Sequence, residues 1–147
     1  MFKNTQTFTH DQPVTSAPWP RSSRQIRGRL AYQSGLAAEE SVERRYVEVG
    51  ASVIGRRVRT PFGELDLVLK QNAMLIFVEV KARRRAVDME RPISSKQWQR
   101  LKNAVLHYMF SAYSETGVQH ACRFDVALVD HIGTVTVHEN ACSFDEH

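Results

Sequence analysis

Two periodicities alternate along the chain. Ala38, Val42, Tyr46 and Val49 recur at helical spacing and Gly50 offers a C-terminal stop, which predicts a helix over 34–49. Ser52–Thr60 carries β-branched residues and alternating charge, and Pro61-Phe62-Gly63 reads as a turn. Residues 64–70 alternate, with Leu65, Leu67 and Leu69 against Glu64, Asp66, Val68 and Lys70, the pattern of a half-buried strand. Gln71-Asn72 marks a tight turn, and Met74–Ala82 is a second, more apolar and more central strand. After a basic loop from 83 to 92, Ser94 and Gln97 form a capping-box pattern. Trp98, Leu101, Val105, Tyr108 and Ala112 continue it as an apolar helical stripe. Ala121–Val129 and 134–138 read as two last strands around a turn. The order helix, three strands, helix, two strands predicts an α/β domain, a mixed sheet flanked by helices.

Composition adjusts this picture in two ways. The 147 residues fit one domain of ordinary size, and the net charge is +4. Residues 1–29 hold five bases and one acid, so the excess lies there and the remainder is formally neutral. Residues 1–27 are polar and broken by proline, which predicts a disordered basic tail ahead of a domain spanning 28–147. The longest apolar run, 73–78, is far short of the ~20 residues of a membrane-spanning helix, so no membrane partner is expected. Cys122 and Cys142 make neither a disulfide framework nor a zinc site, and a reducing cytoplasm is the default location.

The chemistry concentrates in two adjoining strands. Glu79 and Lys81 are two apart and share a strand face, and charged residues in a central strand are costly unless paired or metal-bound. A two-residue turn pairing 70 with 73 sets Asp66 opposite Phe77 and diagonal to Glu79; a four-residue loop sets it directly opposite Glu79; a three-residue loop separates them. Two convergent carboxylates suit Mg²⁺ or Mn²⁺, and an adjacent lysine can orient an attacking water. The implied chemistry is metal-assisted phosphodiester hydrolysis, with Asp66, Glu79 and Lys81 as the catalytic group and Asp66 and Glu79 as ligands. Taken singly, each residue also fits a surface ion pair. Between 56 and 85 there are eight bases and three acids. Arg57, Arg59, Arg83, Arg84 and Arg85, with Lys96 at the start of the second helix, are candidate phosphate contacts.

Several segments together carry a resemblance. Gly35-Leu36-Ala37-Ala38-Glu39, Gly63-Glu64-Leu65-Asp66-Leu67, Phe77-Val78-Glu79-Val80-Lys81-Ala82-Arg83, Lys96, Arg123-Phe124-Asp125-Val126 and Asn140-Ala141 occur in that order. The chain resembles, over about residues 30–142, the YraN family of bacterial endonuclease-like proteins in the PD-(D/E)XK superfamily. The resemblance implies a restriction-endonuclease-like core, Asp66 and Glu79 as metal ligands, Lys81 as the catalytic lysine, and Glu39 as a further ligand. Two departures stand out: Ala82 where relatives tend to have Thr, and Glu90-Arg91-Pro92 where Gly-x-Pro is expected. The expected activity is hydrolysis of DNA, with branched or repair-intermediate DNA among the candidate substrates and a homodimer as one candidate arrangement. The alternative is a nucleic-acid-binding or repair-accessory module that does not cut.

Overall fold

A computed structural model describes residues 22–83 and 93–144. Helix α1 (Ser23–Glu48) leads into strands β1 (Ser52–Thr60), β2 (Gly63–Gln71) and β3 (Met74–Ala82). Helix α2 (Ser95–Tyr113) and strands β4 (Ala121–Val129) and β5 (Val135–His138) complete it. The five strands form one sheet in sequence order, antiparallel except for the parallel β3–β4 pair that α2 bridges. The predicted α/β class and its restriction-endonuclease-like layout, a mixed sheet flanked by helices, match this arrangement. Among the described residues no helix is long and apolar enough to cross a membrane.

The helices cover opposite faces. Ala38, Val42 and Tyr46 of α1 pack on Leu67, Leu69, Ile76, Val78 and Ala127. Leu101, Ala104 and Val105 of α2 pack on Val68, Leu75, Phe77, Phe124 and Leu128. Because both faces are covered, β2 is not half-buried as its alternation predicts. Val68, on the side expected to meet solvent, is fully buried under α2.

Helix α1 ends where Gly50 predicts. Gly50 takes φ 98°, its N–H donates to Val47 O and the N–H of Ala51 donates to Tyr46 O, the paired bonds of a Schellman stop. The start differs. The helix begins at Ser23, with a reciprocal capping box between Ser22 and Gln25, and so includes residues 23–27 of the segment predicted as tail. Ser22 through Ser34 are all exposed, so the early turns hold no buried side chain and leave no apolar stripe for periodicity to detect.

One buried polar node ties the layers together. Asp125, fully buried on β4, accepts from Tyr46 Oη of α1 at 2.7 Å, from Arg123 Nε and Nη2 at 2.8 and 2.9 Å, and from the Asn140 N–H at 3.0 Å. Both carboxylate oxygens are thereby doubly satisfied. Burial and the Asp125 carboxylate push the Tyr46 hydroxyl well above its ordinary range, so it stays protonated as a donor. Asp125→Ala should cost about 3–5 kcal/mol by stranding Arg123 beside a buried cavity, and Tyr46→Phe about 1 kcal/mol. Urea unfolding of the two variants gives both values.

Candidate functional site

The β2–β3 hairpin closes at Gln71 opposite Met74, around Asn72 and Ala73. Asn72 holds the left-handed conformation, φ 54°, that asparagine tolerates. This is a two-residue turn set one position later than a pairing of 70 with 73. Its register carries Lys70 opposite Leu75 and, continued, Asp66 opposite Glu79. The backbone ladder stops just short of that pair, at Leu67 opposite Val78, while the β3–β4 ladder runs on to Ala82 opposite Val129. Strands β2 and β3 therefore part at Asp66. The Val80 N–H, which would otherwise pair with β2 backbone, donates instead to Asp66 Oδ2 at 2.8 Å.

The irregularity at Asp66 extends to its other neighbour. In the β1–β2 ladder the pairs run Arg56–Leu67 and then Val58–Leu65, skipping Arg57 and Asp66. Arg57 sits mid-strand with φ 47°, a costly conformation for a side chain of this size. It breaks the alternation of β1: Arg56 and Arg57 are consecutive, yet both reach α1. Arg56 makes a bidentate pair with Glu43 at 2.6 and 2.7 Å, and Arg57 one with Glu39 at 2.8 and 2.9 Å. The next residue, Val58, packs towards α2. Leu65 likewise packs on the α2 side while Leu67 packs on the α1 side, so β2 turns over at Asp66.

Glu79 is 7% exposed and faces α2. Its Oε1 accepts from Lys81 Nζ at 2.9 Å and from Gln97 Nε2 at 3.2 Å. Asp66 lies partly buried beside it. Burial first, and then the negative charge of Glu79, push the Asp66 carboxyl up to about 7, against the Val80 N–H that favours the ionised form; Glu39 adds to the repulsion. With Asp66 ionised, two carboxylates and one ammonium leave this cluster a net negative charge, the condition in which a divalent cation would relieve the repulsion. The donors are all oxygen, which fits Mg²⁺ or Mn²⁺ rather than a softer ion.

The sequence-predicted residues divide into groups. Asp66, Glu79 and Lys81 come together. Glu39 approaches Asp66 closely enough to act on it, but both of its oxygens are held by Arg57, and among the described residues no group of three or more His, Cys, Asp or Glu side chains is disposed to hold a metal. Arg57 is thus committed to Glu39 and also lies under the Tyr32 ring, 5.1 Å from its centroid. Arg59 is exposed at the edge of the sheet, 3.9 Å from Glu64. Arg83 continues β3, its N–H donating to Val129 O. Lys96 is exposed in the first turn of α2, beside Gln97 and Arg100. Arg84 and Arg85 lie outside the described residues, as do residues 1–21 of the predicted tail.

Gln97 escaped the sequence reading as a site residue. Ser94–Gln97 was legible as a capping box, and Ser94 Oγ does accept the Gln97 N–H at 3.2 Å. The Gln97 side chain, however, reaches Glu79, so one half of the box is given to the site. Only knowledge that α2 starts beside β3 reveals this.

The raised Asp66 fixes a sign for stability. Its folded value lies above the unfolded 3.8, so the folded chain retains a proton that the unfolded chain has already released, and stability is lost as pH rises from about 4 to about 7. Asp66→Asn, which keeps an acceptor for Val80 and never ionises, should therefore be more stable than wild type above pH 7 by about 1–3 kcal/mol. The difference should vanish near pH 4. Melting temperatures at the two pH values, in chelator, test it.

Residues 38–129 match the model of a family described as "Uncharacterised protein family UPF0102". A UPF0102 protein of Cereibacter sphaeroides is 39% identical over 114 residues, covering 78% of this chain and 96% of its own. One of Roseobacter denitrificans is 40% identical over 116 residues, covering 79% and 88%. Another, of Nitrobacter winogradskyi, is 35% identical over 99 residues, covering 67% and 82%. The matched segment contains Glu39, Arg57, Asp66, Glu79, Lys81 and Gln97, and the chain belongs to the UPF0102 family, the same family as the YraN proteins it resembles.

Proposed function

We propose that this protein is a Mg²⁺- or Mn²⁺-dependent nuclease that hydrolyses phosphodiester bonds of DNA, with branched or repair-intermediate DNA the first substrates to try. One observation carries the reading: Asp66, Glu79 and Lys81 converge where β2 and β3 part, a partly buried cluster in which the Glu79 charge opposes ionisation of Asp66. The Val80 N–H gives Asp66 a structural partner, but burial and then the Glu79 charge work against its ionised form, a cost that a bound cation would offset. Asp66 and Glu79 would hold the cation. A bound divalent ion supplies Lewis-acid polarisation of the scissile phosphate and of its attacking water. Within the chain, Lys81 Nζ is placed by its contact with Glu79 to orient that water or to meet charge developing on a phosphate oxygen. Gln97 fixes the Glu79 carboxylate from the opposite side.

A second reading has one observation in its favour. Arg57 holds both oxygens of Glu39, so the site offers two carboxylates outside a bidentate arginine pair rather than three, as a nucleic-acid-binding module on a nuclease fold would also do. Metal titration separates the two: a nuclease binds Mg²⁺ or Mn²⁺ at millimolar concentration or better, whereas a binding module associates equally well in chelator.

Wild type should nick or cut a panel of linear, flapped and four-way DNA when Mg²⁺ or Mn²⁺ is present, and chelator should stop it. Asp66→Ala and Lys81→Ala should each abolish the cleavage. Full activity in either variant, or no cleavage by wild type with either metal, rejects the nuclease reading. Gln97→Ala should weaken metal affinity about 10–100-fold with little change in stability, measured by Mn²⁺ titration calorimetry.

A further inference from the structure

The face of α1 that packs on the sheet does not stop where the sheet does. Val42 and Ala38 are buried against β-strand residues, and the same stripe, followed at helical spacing towards the N-terminus, passes through Gly35, Ala31, Gly28, Arg27 and Arg24. Tyr46 sits against Asp125 on β4, whereas Ala31 and Ser34 border Ala82, Arg83 and Val129 at the far ends of β3 and β4. The helix therefore runs antiparallel to β3 and overshoots it. From Ser23 to Leu30, ahead of the residues that border the strand ends, every residue is exposed, an overhang of about 12 Å at 1.5 Å per residue. An open cleft of about 800 Å³ lies between the base of this overhang and the strand ends.

The charge of the overhang has one sign. No acid occurs between Asp11 and Glu39, and α1 carries Arg24, Arg27 and Arg29 in that interval. Across the cleft Arg83 adds a further base. Among the described residues the one acid lining the cleft, Asp130, is turned into its own loop: its Oδ1 accepts the N–H groups of Ile132 and Thr134 at 3.0 and 2.8 Å. Among the described residues the segment before Ala31 buries no side chain, and such a segment gains little stability from propensity alone, so a partner that engages it is the economical explanation for its length.

We propose that the N-terminal half of α1 is a phosphate-binding arm, in which Arg24 and Arg27, with Arg83 opposite, grip the backbone of a nucleic acid flanking the candidate site. The proposal rests on the nuclease reading only for the choice of polyanion, since binding and cutting are separable. Arg27 lies twelve residues before Glu39, about 18 Å along the axis, which corresponds to about five phosphates along one strand. The contact is to backbone and so independent of base sequence.

The experiment measures binding of the full chain to fluorescent duplex DNA, single-stranded DNA and duplex RNA in chelator, across a salt series. For Arg24→Gln/Arg27→Gln, affinity should fall about tenfold near 0.15 M salt and the salt slope should shrink by about 2. Arg24→Lys/Arg27→Lys should retain most of the affinity. Arg44→Gln/Arg45→Gln removes the same charge from the other end of the helix, more than a screening length away, and should change little. Circular dichroism checks that each variant keeps its helix. Unchanged binding by Arg24→Gln/Arg27→Gln, or an equal loss in Arg44→Gln/Arg45→Gln, overturns the arm while leaving the nuclease reading to its own cleavage test. Loss of binding in the arm variant, with no cleavage by wild type, supports the arm and rejects the nuclease. The three nucleic acids tell which backbone is preferred, and wild type binding none of them overturns the arm outright.

Discussion

The Asp66 carboxylate accepts the Val80 N–H at the point where β2 stops pairing with β3 by its backbone. A buried N–H left without an acceptor costs free energy comparable to a lost hydrogen bond. A side chain at this one position lets two central strands part without that cost. The neighbouring irregularities follow from it. Asp66 is skipped in the β1 ladder, Arg57 opposite it takes a left-handed backbone, and β2 turns over between Leu65 and Leu67. Among the described residues no buried side-chain nitrogen or oxygen lacks a hydrogen-bond partner.

Two kinds of buried carboxylate contrast within the same sheet. Asp125 accepts four hydrogen bonds, one of them from a tyrosine held protonated, and it joins α1, β4 and the Asn140 turn. Asp66 accepts one backbone N–H and faces a second carboxylate. The first is saturated and structural. The second is undersupplied with positive charge. Arg123 and Lys81 are both paired with an acid two residues away on the same strand, so sequence spacing alone does not separate the two cases. What separates them is the number of donors that the rest of the fold brings.

Most of the architecture was legible from periodicity. The spans of β1, β3 and β4 coincide with the sequence patterns, and the stop at Gly50 is the predicted one. Burial of both faces of β2 was not, because the side chains of Asp66 and Lys70 suggest a solvent face that α2 covers at Val68. The early turns of α1 were invisible for the opposite reason, since a helix segment with no buried side chain carries no stripe. At the site, the register of Asp66 hung on a turn position that asparagine's tolerance of left-handed backbone settles. The Glu39–Arg57 and Gln97–Glu79 contacts join residues 18 apart in sequence on different elements, a spacing that no local pattern encodes.

The left-handed Arg57 constrains which sequences can occupy this fold. Glycine, asparagine or aspartate would suit the backbone, yet none of them carries a cation to Glu39. Lysine would carry the charge but not the planar fork that engages both oxygens, and it would bear the same backbone cost. Position 57 is therefore specified twice, by conformation and by chemistry, and the two specifications point to different residues. Drift there is narrow, and a natural variant lacking arginine at 57 should differ at 39 as well.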